Sequence, residues 1–322
     1  MAPSKNLLKA LQTGRKVYRK VFRDEGNIAY DYSLAQFRGQ EASDRIKEEL
    51  LAPKPSMICR LGLVELYCVL NYIGEKRGVK GSLGNYLKYV TGRLHSFSWE
   101  DDTFYSMPNN AGFFPGDVEH LERFSELMLA DMGYVDILGS WRREELFVQP
   151  ELKHAVKVAL PDLEPFYHKD PWSEVLEGKK VLVVHPYERT IHEQYKKRKL
   201  LFKDQRVLPD FELKTVRAVQ SIANSRTEFA TWFDALAHME RRIEATDFDI
   251  AILGCGAYGF PLAAHIKRMG RKAVHMGGAT QLLFGIKGKR WEDLPFINEH
   301  WVRPSQDETP ANAVKVEGAC YW

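Results

Sequence analysis

Residues 179–292 constrain the fold most, because apolar runs of strand length alternate there with helical patterns. "KKVLVVHP" reads as a buried strand followed by the polar helix "ERTIHEQYKKRKLLF", and "FELKTVRAV" as a second strand. "TEFATWFDALAHMERRIEAT" follows as a helix with Phe229, Trp232, Phe233, Leu236, Met239 and Ile243 on one face. "FDIAILGCG" is a third strand, "PLAAHIKRMG" a helix closed by Gly270, and "KAVHMGG" a fourth strand. Such alternation predicts an α/β fold: an open, mainly parallel, doubly wound (Rossmann-like) sheet with helices on both faces. Upstream, "GQEASDRIKEELLA" and "VELYCVLNYIGEKR" read as helices on either side of a short strand ending near Arg60. Residues 75–178 read as a mostly helical insertion with irregular connections and one clear helix, "DVEHLERFSELMLADMG". The expected organisation is a basic helical arm over 1–38 and a single α/β domain over 39–322.

A chain of 322 residues can bury a sizeable core, and no apolar run approaches the roughly 20 residues that span a bilayer. Cys59, Cys68, Cys255 and Cys320 show no C-x-x-C spacing and read as reduced thiols of a cytosolic protein. The first residues lack the apolar core of a secretory signal. Net charge is +3, but Lys5, Lys9, Arg15, Lys16, Arg19, Lys20 and Arg23 fall in a stretch with no acid, so the positive charge is local. Leu7, Leu8, Leu11, Val17, Tyr18, Val21 and Phe22 interleave with it to give a basic amphipathic helix. Either residues 5–23 lie on an anionic membrane surface, at about 1 kcal/mol per basic residue, or the helix packs on the main domain. No basic patch with stacking aromatics recurs, which argues against nucleic acid as a partner.

The four strands of 179–292 end in His185-Pro186-Tyr187, near Gln220-Ser221, in Gly254-Cys255-Gly256 and in His275-Met276-Gly277-Gly278. Ligands of open α/β sheets bind outside these carboxyl ends, and glycines there leave space where bulk would block it. Gly254, Gly256 and Gly259 form a G-x-G-x-x-G loop whose amides, from Gly254 through Ala257 to Tyr258, suit a phosphate. A nicotinamide enzyme places an acid about 20 residues further on, where this chain has His275. NAD or S-adenosylmethionine binding therefore stands as an alternative, as does a purely structural tight turn.

"ILGCGAYGFPLAAHIKRMGRKAVHMGG" resembles the carboxyl-terminal part of the GT-D-type glycosyltransferases, bacterial enzymes of surface-glycan assembly. "SMICRLGLVELYCVL" resembles that family's R-x-G-D-G-E segment through Arg60, Gly62 and Glu65. The resemblance covers about two thirds of the chain. It implies a nucleotide-diphosphate sugar donor and a glycan or lipid-linked glycan acceptor, and the basic amino-terminal helix would bring a cytoplasmic protein to such acceptors at the inner face of the membrane. The family's D-x-E motif is associated with a divalent cation, Mn or Mg. Leu63 replaces its Asp here, leaving Glu65 as base or sole metal-ligating carboxylate. A non-catalytic scaffold of a polysaccharide-assembly complex is the matching alternative.

Glycosyl transfer needs stabilisation of the leaving diphosphate and a base for the acceptor hydroxyl. Arg60 is the first cationic candidate, with Arg189, Lys196, Lys197 and Arg198 behind it. Glu65 and His185 are candidates for catalysis, and Gly62 for close approach of the donor. Arg189, His192 and Tyr195 are the favoured contacts on the helix after His185, and His275, Gly277 and Gly278 those on the nucleotide side. Tyr258 is a candidate base-stacking ring, and Asn109 and Asn110 are candidates for sugar hydroxyls. Glu100, Asp101 and Asp102 read as a solvated run, and Trp291, Trp301 and Trp322 as packing.

Overall fold

The structure, a computed structural model, describes residues 3–22, 30–316 and 318–322. Arg23 and residues 24–29 of the expected arm lie outside the described residues. Seven strands pair in one sheet: β1 (Ser56–Cys59), β2 (Ile137–Ser140), β3 (Val156–Ala159), β4 (Lys180–His185), β5 (Glu212–Arg217), β6 (Ile250–Leu253) and β7 (Lys272–His275). Their order is β3-β2-β1-β7-β6-β4-β5, and every pairing is parallel. This is the open, doubly wound, Rossmann-like sheet. The last strand in sequence, β7, sits between β1 and β6, pairing Ile58 with Val274 on one side and Ile252 with Val274 on the other. All the strands run the same way, so the carboxyl ends of β1, β7, β6 and β4 open side by side.

Parallel strands are covered on both faces, and their side chains alternate between two cores. Met57, Cys59, Leu182, Val184, Ala251 and Leu253 enter one, with the helices α3 (Leu63–Lys76), α6 (Val118–Met132), α8 (Trp232–Glu244) and α9 (Gly259–Arg268). Ile58, Val181, Val183, Ile250 and Ile252 enter the other, with α2 (Gln40–Leu51), α7 (Glu188–Tyr195) and α10 (Thr280–Leu283). Residues 75–178 differ from the expectation. Besides α4 (Leu83–Val90), α5 (Asp101–Asn110) and α6 they supply β2 and β3, the two strands that extend the sheet from β1 to one edge. The helix expected over 188–202 ends at Tyr195, followed by a separate single turn at Arg198–Leu200. Tyr195 and Leu201 are both drawn into the core, which a straight helix through the intervening lysines would not permit.

The amino-terminal helix α1 (Lys5–Phe22) packs against α4. Arg15 donates to the His95 carbonyl at 2.8 Å and lies over the Tyr89 ring, while Arg19 approaches Glu144 at 3.7 Å. No described helix is long and apolar enough to cross a membrane.

Candidate functional site

A cavity of about 640 Å³ opens over the carboxyl ends of β1, β7, β6 and β4. It brings together Arg60, Gly62, Glu65, Asn110, His185, Gly254, Gly256, Ala257, Tyr258, His275, Gly277 and Gly278, which the sequence scatters over more than two hundred positions.

Each glycine of the loop has its own physical reason. A side chain at Gly254 would meet His185 Cδ2 and Thr280 Cβ at 2.6 Å, and one at Gly259 would overlap the His275 ring. Those two glycines seat imidazoles against backbone. Gly256 alone is open, with φ +57° and nothing nearer to a Cβ than the Ala111 carbonyl oxygen at 3.8 Å. The amides of Cys255, Gly256 and Ala257 around it have no acceptor among the described residues. That is the anion-attracting part of the loop.

The two histidines are neutral and complementary. Tyr187 N–H donates to His185 Nδ1 at 3.0 Å, so the ring proton of His185 belongs on Nε2. His275 Nδ1 lies 3.2 Å from the Leu253 carbonyl, which only accepts, so His275 Nε2 carries the lone pair. Burial pulls the His185 pKa down to about 3, and burial together with Arg60 pulls that of His275 down to about 4. Neither Nε2 has a partner among the described residues.

Arg60 leaves β1 and stretches over Trp141, its guanidinium 4.8 Å from the ring centroid. Trp141 is anchored in turn, donating Nε1–H to the Leu61 carbonyl at 2.9 Å. Buried Glu145 holds the Trp141 and Arg142 amides at 3.0 and 3.2 Å. Gly277 gives Arg60 room, since a Cβ there would sit 3.2 Å from its Cδ. Among the described residues Arg60 makes no ion pair and no hydrogen bond. Two carboxylates feel its charge across the cavity. Glu65, in the first turn of α3, folds back over Gly62; burial raises its pKa, opposed by its own amide and by Arg60. Glu164 has no side-chain hydrogen bond or ion pair among the described residues, and burial lifts its pKa to about 7 against the pull of Arg60. Both groups border the cavity while being surrounded by protein, so water reaches them but solvates them poorly.

Several expectations are corrected here. Tyr195 points away from the cavity: its hydroxyl donates to the Phe211 carbonyl at 2.8 Å beneath β5. Arg189 is exposed, 2.6 Å from Asp307, and His192 meets Thr215 at 3.0 Å on the outer surface. Lys196 and Lys197 are exposed, and Arg198 pairs with Asp210 at 2.7 Å. Asn109 is buried and donates to Asn110 and to the Lys315 carbonyl, leaving only Asn110 at the cavity. The Tyr258 ring cannot serve as a free stacking platform. It stacks on Trp232 at 4.8 Å, with its hydroxyl 3.0 Å from Ser221 Oγ. Trp301 packs in the core as expected; Trp322 packs there too with Trp291 against it, and both also line the cavity with Tyr321. Sequence reasoning missed Glu164 and Trp141, which follow β3 and β2 and were hidden with those strands. "ILGSW" and "VKVALPDLEP" carry the available signal, brief runs ended by a polar residue or proline.

No family model, curated protein or solved structure matches the chain.

The site's donor set does not fit a divalent cation. Leu63, two residues before Glu65, offers no second carboxylate, Arg60 supplies positive charge near Glu65, and among the described residues no three metal-ligating groups cluster. It fits an anion better, through a guanidinium that no described residue pairs and the amides around Gly256.

Proposed function

We propose that the cavity binds a nucleotide-diphosphate sugar and transfers its sugar to a glycan or lipid-linked glycan acceptor, as a cytoplasmic glycosyltransferase of bacterial surface-polysaccharide synthesis. The observation that carries this reading is Arg60: a guanidinium without an ion pair among the described residues, inside a cavity that also holds two carboxylates and a loop of amides with no acceptor among those residues. In this reading the diphosphate lies between Arg60 and the Cys255–Ala257 amides. As the bond to the anomeric carbon breaks, its electron pair passes to the diphosphate oxygen, and these donors stabilise the charge that develops. Glu164, with its pKa raised to about 7, takes the proton of the acceptor hydroxyl as the acceptor oxygen bonds to that carbon. His185 donates and His275 accepts at their Nε2 atoms, and Asn110 with the Trp291–Tyr321 wall holds sugar or base. The cavity volume lies within the roughly 300–1,000 Å³ usual for small-molecule sites.

Isothermal titration of the full chain with UDP-, GDP- and dTDP-sugars, with and without manganese, tests the reading. Binding by one of them, independent of manganese and lost in Arg60→Gln, is the expected result. Silence across that panel, with a melting shift from NAD or S-adenosylmethionine instead, would overturn it.

A further inference from the structure

The docking of α1 on α4 leaves a second face of α1 uncovered. Leu8, Leu11, Arg15, Tyr18 and Arg19 are half-buried on the side turned to the body. Leu7, Ala10, Gly14, Val17 and Val21 recur at intervals of three and four, which puts them along one neighbouring stripe. Val17 and Val21 in that stripe are 56% and 63% exposed. The stripe does not stop at α1. A Cβ at Gly14 would lie 3.7 Å from Val90 of α4, and Val90 shares its helical row with Leu83 and Leu87, which are 75% and 57% exposed. Two apolar rows on separate helices thus meet at Gly14 and Val90 and form one uncovered surface. Lys5, Lys9, Lys16 and Lys20 share a further row of α1, about a third of a turn round from the stripe and nearest to it where Lys20 neighbours Val17, all exposed, in a segment that contains no acid.

We infer that this two-helix face seats on an anionic lipid surface, the Leu83–Leu87 and Val17–Val21 rows entering the headgroup boundary and the lysine row meeting lipid phosphates. Apolar side chains beside an unopposed row of cations are what such a surface binds. A second copy of the chain would bring one lysine row toward another, with no acid on α1 to pair them. The inference does not depend on what occupies the cavity.

Cosedimentation of the full chain with vesicles tests it, comparing mixed phosphatidylglycerol–phosphatidylcholine with pure phosphatidylcholine. Binding is expected to the mixed vesicles alone and to weaken with salt. Lys16→Gln/Lys20→Gln and Leu83→Ser/Leu87→Ser should each lower the partition about tenfold while leaving the melting temperature unchanged, because all four side chains are exposed. Equal binding to pure phosphatidylcholine, no vesicle binding, or variants that bind as well as the parent would overturn it. So would a concentration-dependent dimer, abolished by Leu83→Ser/Leu87→Ser, in a protein that ignores vesicles.

Discussion

On the β4–β6–β7 side of the cavity the polar groups are neutral and the rings are wedged against backbone, whereas on the β1–β2 side the charges stand apart. His185 and His275 are held by glycines that no side chain could replace. Arg60 instead rests on an indole face, and Glu164 has no side-chain partner among the described residues. The first wall is rigid because glycines wedge its rings against backbone and each ring's Nδ1 is bonded within the fold. The second keeps charges that folding has not consumed, at a cost in desolvation that a ligand of opposite sign would offset. Stability and recognition should therefore respond differently to substitutions in the two walls.

The largest effect belongs to the neutral wall. Gly259→Val drives a branched side chain into the buried His275 ring and should destabilise the protein by about 3 kcal/mol or more, measured by denaturant unfolding. Gly256→Ala, in the same loop but facing open space at φ +57°, should cost only about 1–2 kcal/mol. Equal losses at the two positions would show that the loop behaves as one strained unit.

The charged wall should show the reverse. Arg60→Gln breaks no ion pair among the described residues, so its melting temperature should stay near that of the parent. Affinity for a nucleotide sugar, read by titration calorimetry, should fall about 100-fold, as expected for loss of a charge-assisted contact. A large drop in stability with unchanged affinity would make Arg60 a structural residue.

Glu164→Gln comes next, and its signature is a pH slope. The folded-state pKa of Glu164, about 7, exceeds the ordinary glutamate value of 4.5, so the folded protein holds this proton more tightly than the unfolded chain. That contribution is complete below pH 4.5 and is lost as pH rises through about 7, amounting to about 2 kcal/mol once access to cavity water is allowed for. The variant should flatten this decline, visible as melting temperatures that converge on the parent's in acid and exceed it above neutrality. Parallel curves would mean that the carboxyl is better solvated than its surroundings imply.

The contrast between the walls also governs what could be read from the chain. The neutral wall is written locally: an apolar run stops at Gly254, a glycine loop follows, and a helix begins, so strand, turn and ligand edge share one short segment. Arg60 and Gly62 are legible for the same reason. The rest of the charged wall is assembled by tertiary contacts. β2 and β3 are four residues each, too short for periodicity to register. A lysine also interrupts β3: Lys157 is buried beside Glu145 and bonded to Gln149 at 2.7 Å, a pairing that exists only once the chain is folded. Glu164 follows in an irregular turn and acquires its character from burial near Arg60. Basic composition misdirected attention to α7, where spacing alone does not reveal that Tyr195 is held by the Phe211 backbone.

Arg189 sharpens the comparison with the smallest effect. By sequence it resembles Arg60, a cation just past the end of a strand, but its surroundings differ. It lies on the outer surface between Asp307 at 2.6 Å and Glu193 at 3.9 Å, with more than half of its side chain exposed. Exposed pairs of this kind contribute about 0–1 kcal/mol and are screened by salt. Arg189→Ala should therefore lower stability by less than about 1 kcal/mol, and by less still at high ionic strength. Nucleotide-sugar affinity should not change, since Arg189 does not line the cavity. Calorimetry of Arg189→Ala beside Arg60→Gln separates the two residues: if both lose affinity alike, the ligand extends past Tyr187 along α7, and the anion site is larger than the strand ends alone define.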